Sequence, residues 1–260
     1  MGKTQRIFAV VFFISTLLLS RSSHFVRPVF ASDDGICKLN QGDFDKIESI
    51  KNDPALDYFG EIKLELQLRK NLLKNVLRCA INDANDLRTA THKIRLNDQD
   101  AINLRSLFAN QLDNVVSYYQ TQESKIDDLG LQGSKDFAKN LELWRDGNYK
   151  QVAKMATNFL IWGKNQEIIE TAQARVNQIG RSVTLLSLVY KEDIGGLWRE
   201  VDDNFSEAKK FNQQVKNDLR FATPNDALAT IKSSLDSLSK TYEKLSELVN
   251  AINQALAIPS

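Results

Sequence analysis

From Leu228 to the C-terminus, apolar residues recur at alternating steps of three and four: Leu228, Ile231, Leu235, Leu238, Tyr242, Leu245, Val249, Ile252 and Leu256. A period of about 3.5 residues belongs to a helix burying one narrow stripe against other helices, because a strand would scatter these side chains over two faces. The flanking positions are mostly small or neutral: Ala227, Ser234, Thr241, Leu248 and Ala255 on one side, Lys232, Ser239, Ser246 and Asn253 on the other. A free two-stranded coil carries Glu and Lys there. Small flanks let several neighbours approach closely, so this helix is expected inside its own bundle, against helices of residues 165–190 and 197–222, in a monomer.

The same spacing marks most of the chain and predicts an all-α fold. A short helix is expected over 43–52, with Phe44, Ile47 and Ile50 inward, ended by Asp53-Pro54 because proline forces the preceding residue out of helical geometry. A long helix follows over 55–96, its seam interrupted by Arg69 and Asp83. Asn97-Asp98-Gln99-Asp100 supplies capping residues for a third, running to Leu129. Gly130 reads as a left-handed stop and Ser134 as a new start. Lys135–Arg145 and Tyr149–Trp162 read as two short helices joined at Asp146-Gly147-Asn148. That joint, Leu143 to Tyr149, resembles the inter-helix turn of a tetratricopeptide repeat. No second copy stands at the period of about 34 residues, so a generic helical hairpin is the better reading.

Two further stripes follow. Ile169, Ala172, Val176, Ile179, Val183, Leu186 and Tyr190 form one; Trp198, Val201, Phe205, Ala208, Val215, Leu219 and Ala222 form the other, with Asn212 in a seam position. Their registers differ, so either one helix stutters or the chain reverses at Gly195-Gly196. Glycine costs roughly 1 kcal/mol inside a helix, which favours the turn. Thr223-Pro224-Asn225-Asp226 is the clearest start signal: a cap, a proline at the first helical position and an acid at the third. Together these elements predict an elongated antiparallel bundle of long, coiled-coil-like helices, one domain over 32–258 with 43–163 and 165–257 as candidate sub-units.

Composition adds a compartment. The 260 residues are 42% apolar and 26% charged, ordinary globular values, with only 4 prolines and 11 glycines to interrupt helices. The N-terminus stands apart. Lys3 and Arg6 precede an apolar run from Ile7 to Ser20, and Val29-Phe30-Ala31 carries small residues where a signal peptidase reads. Residues 1–31 therefore read as a signal peptide and the chain as exported, with an uncleaved anchor as the alternative. The run spans about 21 Å as a helix, short of the roughly 30 Å hydrocarbon core, and no stable membrane span is expected after leader removal. The leader holds Lys3, Arg6, Arg21 and Arg27 and no acid; without those four cations the formal charge of +1 becomes about −3. A mildly acidic, mixed surface excludes nucleic acid as a primary partner, since phosphate backbones require concentrated positive charge.

In an oxidising compartment Cys37 and Cys79 read as a disulfide. Closing a loop of about 43 residues contributes roughly 4 kcal/mol in the chain-entropy model.

Candidate chemistry is sparse. His92 is the one histidine beyond the leader, and it sits among basic residues near a helix end. The chain has no Glu-x-x-His pair and no His-Glu-x-x-His, and two cysteines are too few for structural zinc, so no metal is expected. The acids near 97–100, 127–128 and 202–203 lack the glycine and distal glutamate of a calcium loop. Phosphate-binding glycine loops and nucleophile elbows are missing too, so neither a cofactor nor catalysis is expected. Asn204-Phe205-Ser206 matches a glycosylation acceptor at a frequency chance would supply.

Two functional expectations remain. The first is an exported, non-catalytic bundle with a structural role or one in binding a protein or ligand, with Trp144, Tyr149 and Trp162 as a contact patch. The second is a membrane-active protein inserting the apolar segment 183–198.

Overall fold

The computed structural model describes residues 46–47, 49–50, 55–186 and 194–256. The leader and Cys37 lie outside them. Among the described residues the regular elements are all helical, which establishes the all-α class. Lys46, Ile47, Ser49 and Ile50 are helical, inside the stretch expected over 43–52.

Helix α1 (Tyr58–Lys93) begins where Asp57 accepts a hydrogen bond from the Gly60 N–H at 2.7 Å. Helix α2 (Gln99–Glu123) begins at Asp98, whose carboxylate accepts from the Ala101 N–H at 2.9 Å. Each acid satisfies a first-turn amide that helix geometry leaves without a partner, at the positive end of the helix dipole. The two helices pack antiparallel. Arg78 meets Glu123 at 3.1 Å, Arg88 pairs with Asp113, and Lys74 reaches Asp127 in the 3-10 turn Ile126–Asp128.

The next element departs from the expected hairpin. Helix α3 (Leu131–Trp144), one π-helical turn (Arg145–Tyr149) and helix α4 (Lys150–Leu186) follow one another without a break, a path of about 80 Å at the usual rise per residue. Asp-Gly-Asn is turn composition, but Leu141 on one side and Tyr149, Ala153, Ala156, Phe159 and Trp162 on the other are buried along this continuous path. Tertiary burial outweighs local preference here. No described residue has a positive φ, so no glycine among them is a left-handed stop. Gly130 is extended and stands at the N-cap of α3, which starts ahead of Ser134. Gly163 stays helical because the backbone passes close to Ile94: a Cβ there would lie 2.7 Å from Ile94 Cγ2.

Helices α5 (Ile194–Phe221) and α6 (Pro224–Leu256) complete the chain. Gly195 and Gly196 lie in the first turn of α5, so the turn expected at them does not occur there. Helix α5 runs antiparallel to α4: the Trp162 indole donates to the Asn212 carbonyl at 3.1 Å, and Lys209 Nζ to Gln173 Oε1 at 3.2 Å. At α6 the expected cap is present. Thr223 Oγ1 accepts from the Asp226 N–H and donates to the Asp226 carboxylate at 2.7 Å.

The most buried stripe of α6 is Ala227, Ile231, Ser234, Leu238, Thr241, Leu245 and Leu248. It lies one position round from the apolar seam, on the small-residue flank, while Leu228, Leu235, Tyr242 and Val249 are half-buried. The small side chains admit neighbouring backbones, and Ser234 Oγ donates to the Ala208 carbonyl at 2.9 Å.

Buried apolar residues form two clusters. The first joins α1, α2, the α3–α4 helix and the tip of the α5–α6 hairpin, where Val215, Leu219, Ala227 and Ile231 enter it. The second joins the remainder of α4, α5 and α6, around Ile169, Val176, Val201, Phe205 and Leu245. Fully buried Phe108, Phe159 and Phe205 each contribute about 1.5–3 kcal/mol through area removed from water. Helix α4 serves both clusters with different partners in each, and its buried face turns accordingly.

Candidate functional site

The π-helical turn inserts one residue into an otherwise α-helical path, and such insertions concentrate at functional sites. Its wider ring is closed by the Lys150 N–H donating to the Arg145 carbonyl. Asn148 Nδ2 donates to the Trp144 carbonyl at 3.0 Å, and Lys150 pairs with Asp146 at 2.6 Å across the same turn. The bulge aims Trp144 and Tyr149 at α2. Trp144 stacks on Tyr118 with ring centroids 3.6 Å apart and planes 10° from parallel. Tyr119 meets Trp144 and Tyr149 edge-on at 5.3 and 5.9 Å.

Polar groups converge beneath these rings. The Tyr119 hydroxyl is buried without a hydrogen-bond partner. Asp83, half-buried on α1, has no hydrogen bond or ion pair among the described residues, and neither does the Arg145 guanidinium. Burial pushes the Asp83 carboxyl above its ordinary value, against the pull of Arg145 and with help from Asp86. Burial likewise drives the Tyr119 phenol far upward, with Arg145 opposing and Tyr149, Tyr118 and Asp83 adding. Tyr149 is pushed up to about 12 by burial and by Asp83, Arg145 again opposing. At neutral pH both phenols therefore keep their protons, near one carboxylate and one guanidinium of opposite charge.

The expected contact residues separate. Trp144 is half-buried at the surface beside Leu143, which is 62% exposed. Tyr149 lies inside the aromatic cluster. Trp162 is wholly buried and hydrogen-bonded to α5, so it lines no surface patch. Cys79 is half-buried on α1, and its expected pairing lies outside the described residues with Cys37. His92 is exposed in the last turn of α1. Asp83, Tyr118, Tyr119 and Arg145 did not stand out as site residues. Asp83 carried the one usable signal, a carboxylate interrupting an apolar seam.

Elsewhere, a shallow groove over Lys74, Arg78, Gln120, Glu123, Ser124 and Asp127 is neutralised by its own ion pairs. Among the described residues no three His, Cys, Asp or Glu side chains gather as metal ligands, and no helix is long and apolar enough to cross a membrane. No protein-family model, curated protein or solved structure matches this chain.

Proposed function

We propose that this chain is exported, performs no chemistry of its own, and serves as an elongated, coiled-coil-like bundle that holds a protein partner at the π-helical turn. The observation that carries this reading is the stacked Tyr118–Trp144 pair beside exposed Leu143, with Asp83 and Arg145 free to bond at its margin. A rigid aromatic anchor next to an aliphatic side chain, rimmed by charge, is the anatomy of an interface hot spot. The bundle supplies the rigidity.

The test is a photo-crosslinking residue placed at Leu143, compared with the same residue at Ile168, an exposed apolar position on α4. Adducts at 143 and none at 168 in the native host support the reading; equal labelling, or none, overturns it. Dye release from lipid vesicles by the mature protein would replace it with membrane insertion of 183–198.

A further inference from the structure

The three C-terminal helices carry unbroken heptad seams, and such seams have a weakness. On α4 the buried positions run Trp162, Asn165, Ile169, Ala172, Val176 and Val183; on α5 they run Ile194, Val201, Phe205, Ala208, Asn212, Val215 and Leu219. Apolar packing at a fixed seven-residue repeat is nearly satisfied again when one helix slides by a whole heptad, because large and small apolar residues recur at the same face. The short connection between α5 and α6 fixes those two helices against each other. It does not fix α4 against the pair.

Polar residues break the degeneracy. Asn158 and Asn165 stand one heptad apart on α4, both buried, and the hairpin offers each a different partner. Asn158 Nδ2 donates to the Pro224 carbonyl at the hairpin tip at 2.7 Å. Asn165 Nδ2 donates to Asn212 Oδ1 at 3.2 Å and to Ser234 Oγ at 2.9 Å, while Ser234 Oγ donates to the Ala208 carbonyl. The Trp162 indole donates to the Asn212 carbonyl between them. Asn165 Oδ1 has no partner, so the layer does not maximise hydrogen bonding.

We infer that Asn158 and Asn165 form a two-point register lock between the central helix and the C-terminal hairpin. A slide of one heptad in either direction carries at least one of the two amides to a level without its polar partner. One heptad on from Asn165 the α4 seam holds Ala172, and one heptad to either side of Asn212 the α5 seam holds Phe205 and Leu219. A buried amide stranded there is disfavoured by about tenfold or more relative to the native alignment. The lock selects one alignment.

Paired cysteines read the register directly. In the full mature chain, Gln173→Cys with Lys209→Cys reports the native alignment, since those side chains touch. Gln173→Cys with Asp202→Cys, or with Lys216→Cys, reports a slide of one heptad in either direction. Disulfides are mapped by mass spectrometry so that Cys37 and Cys79 are accounted for. With both asparagines present, the native pair closes and the shifted pairs do not. Combining Asn158→Val and Asn165→Val should let a shifted pair gain crosslinking by about tenfold or more. Exclusive native crosslinking in the double variant overturns the inference. So does a double variant that fails to fold when the single variants fail as well, because the amides would then be required for the fold itself rather than for its register.

Discussion

At the scale of single residues, the interior holds polar groups that stability alone would not select. Tyr119 buries a hydroxyl with no partner, so Tyr119→Phe should raise unfolding free energy by about 1 kcal/mol in urea titration, since an unbonded buried donor carries its full desolvation cost. Asp83 has a raised carboxyl, so its folded form holds a proton more tightly than the unfolded chain does. Its contribution is therefore complete below the unfolded carboxylate range, near pH 4, and is lost as pH rises through the folded value. Asp83→Asn should thus raise the urea midpoint at pH 7, and the advantage should vanish below about pH 4. A midpoint gain that persists undiminished in acid would show that the carboxyl's ionisation is not the cause.

At the scale of elements, the π-helical turn sets which way two halves of one helix face. Removing Gly147, where an added Cβ would meet nothing within 4 Å, should return the path to plain α-helix. Trp144 and Tyr149 would then stand four residues apart, about 40° apart round the axis, because each residue advances an α-helix by about 100°. Both rings would still face α2. The expected outcome is retention of the aromatic near-ultraviolet circular dichroism of the Tyr118–Trp144 stack together with helical content; loss of that signal with helical content retained would show that the wider turn itself sets the ring pair.

This element also marks where sequence reasoning reaches its limit. The seams, the caps at Asp98 and Thr223 and the small flank of α6 were legible because periodicity and capping are local signals that the fold uses directly. The run Asp146-Gly147-Asn148 was misread because its composition permits a turn, while the residues that forbid one, Phe159 and Trp162, act through packing partners distant in sequence. The site was less legible than the fold. Nothing local brings Asp83 on α1 to Arg145, and no single-residue property distinguishes Tyr119 in a site from Tyr119 in a core.

At the scale of the whole molecule, the two apolar clusters do not divide the chain into an early half and a late half. The first cluster draws Val215, Leu219, Ala227 and Ile231 from the C-terminal hairpin, and Trp162 takes its hydrogen-bond partner from there as well. A chain truncated after Leu186 should therefore bind a hydrophobic dye and unfold without a sharp transition, although α1, α2 and the central helix are all present. A cooperative transition in that fragment would show the first cluster to be self-sufficient.

The shared central helix also bears on how the protein is made. Synthesis runs from the N-terminus, so α1 and α2 leave the ribosome long before the residues that close the bottom of their cluster. Until Ile231 is out of the tunnel, the indole of Trp162 and the face of Phe159 have no complete cover. Dependence on the last helix pair thus delays consolidation until the chain is nearly finished, and makes the final hairpin the step that commits the molecule to its shape.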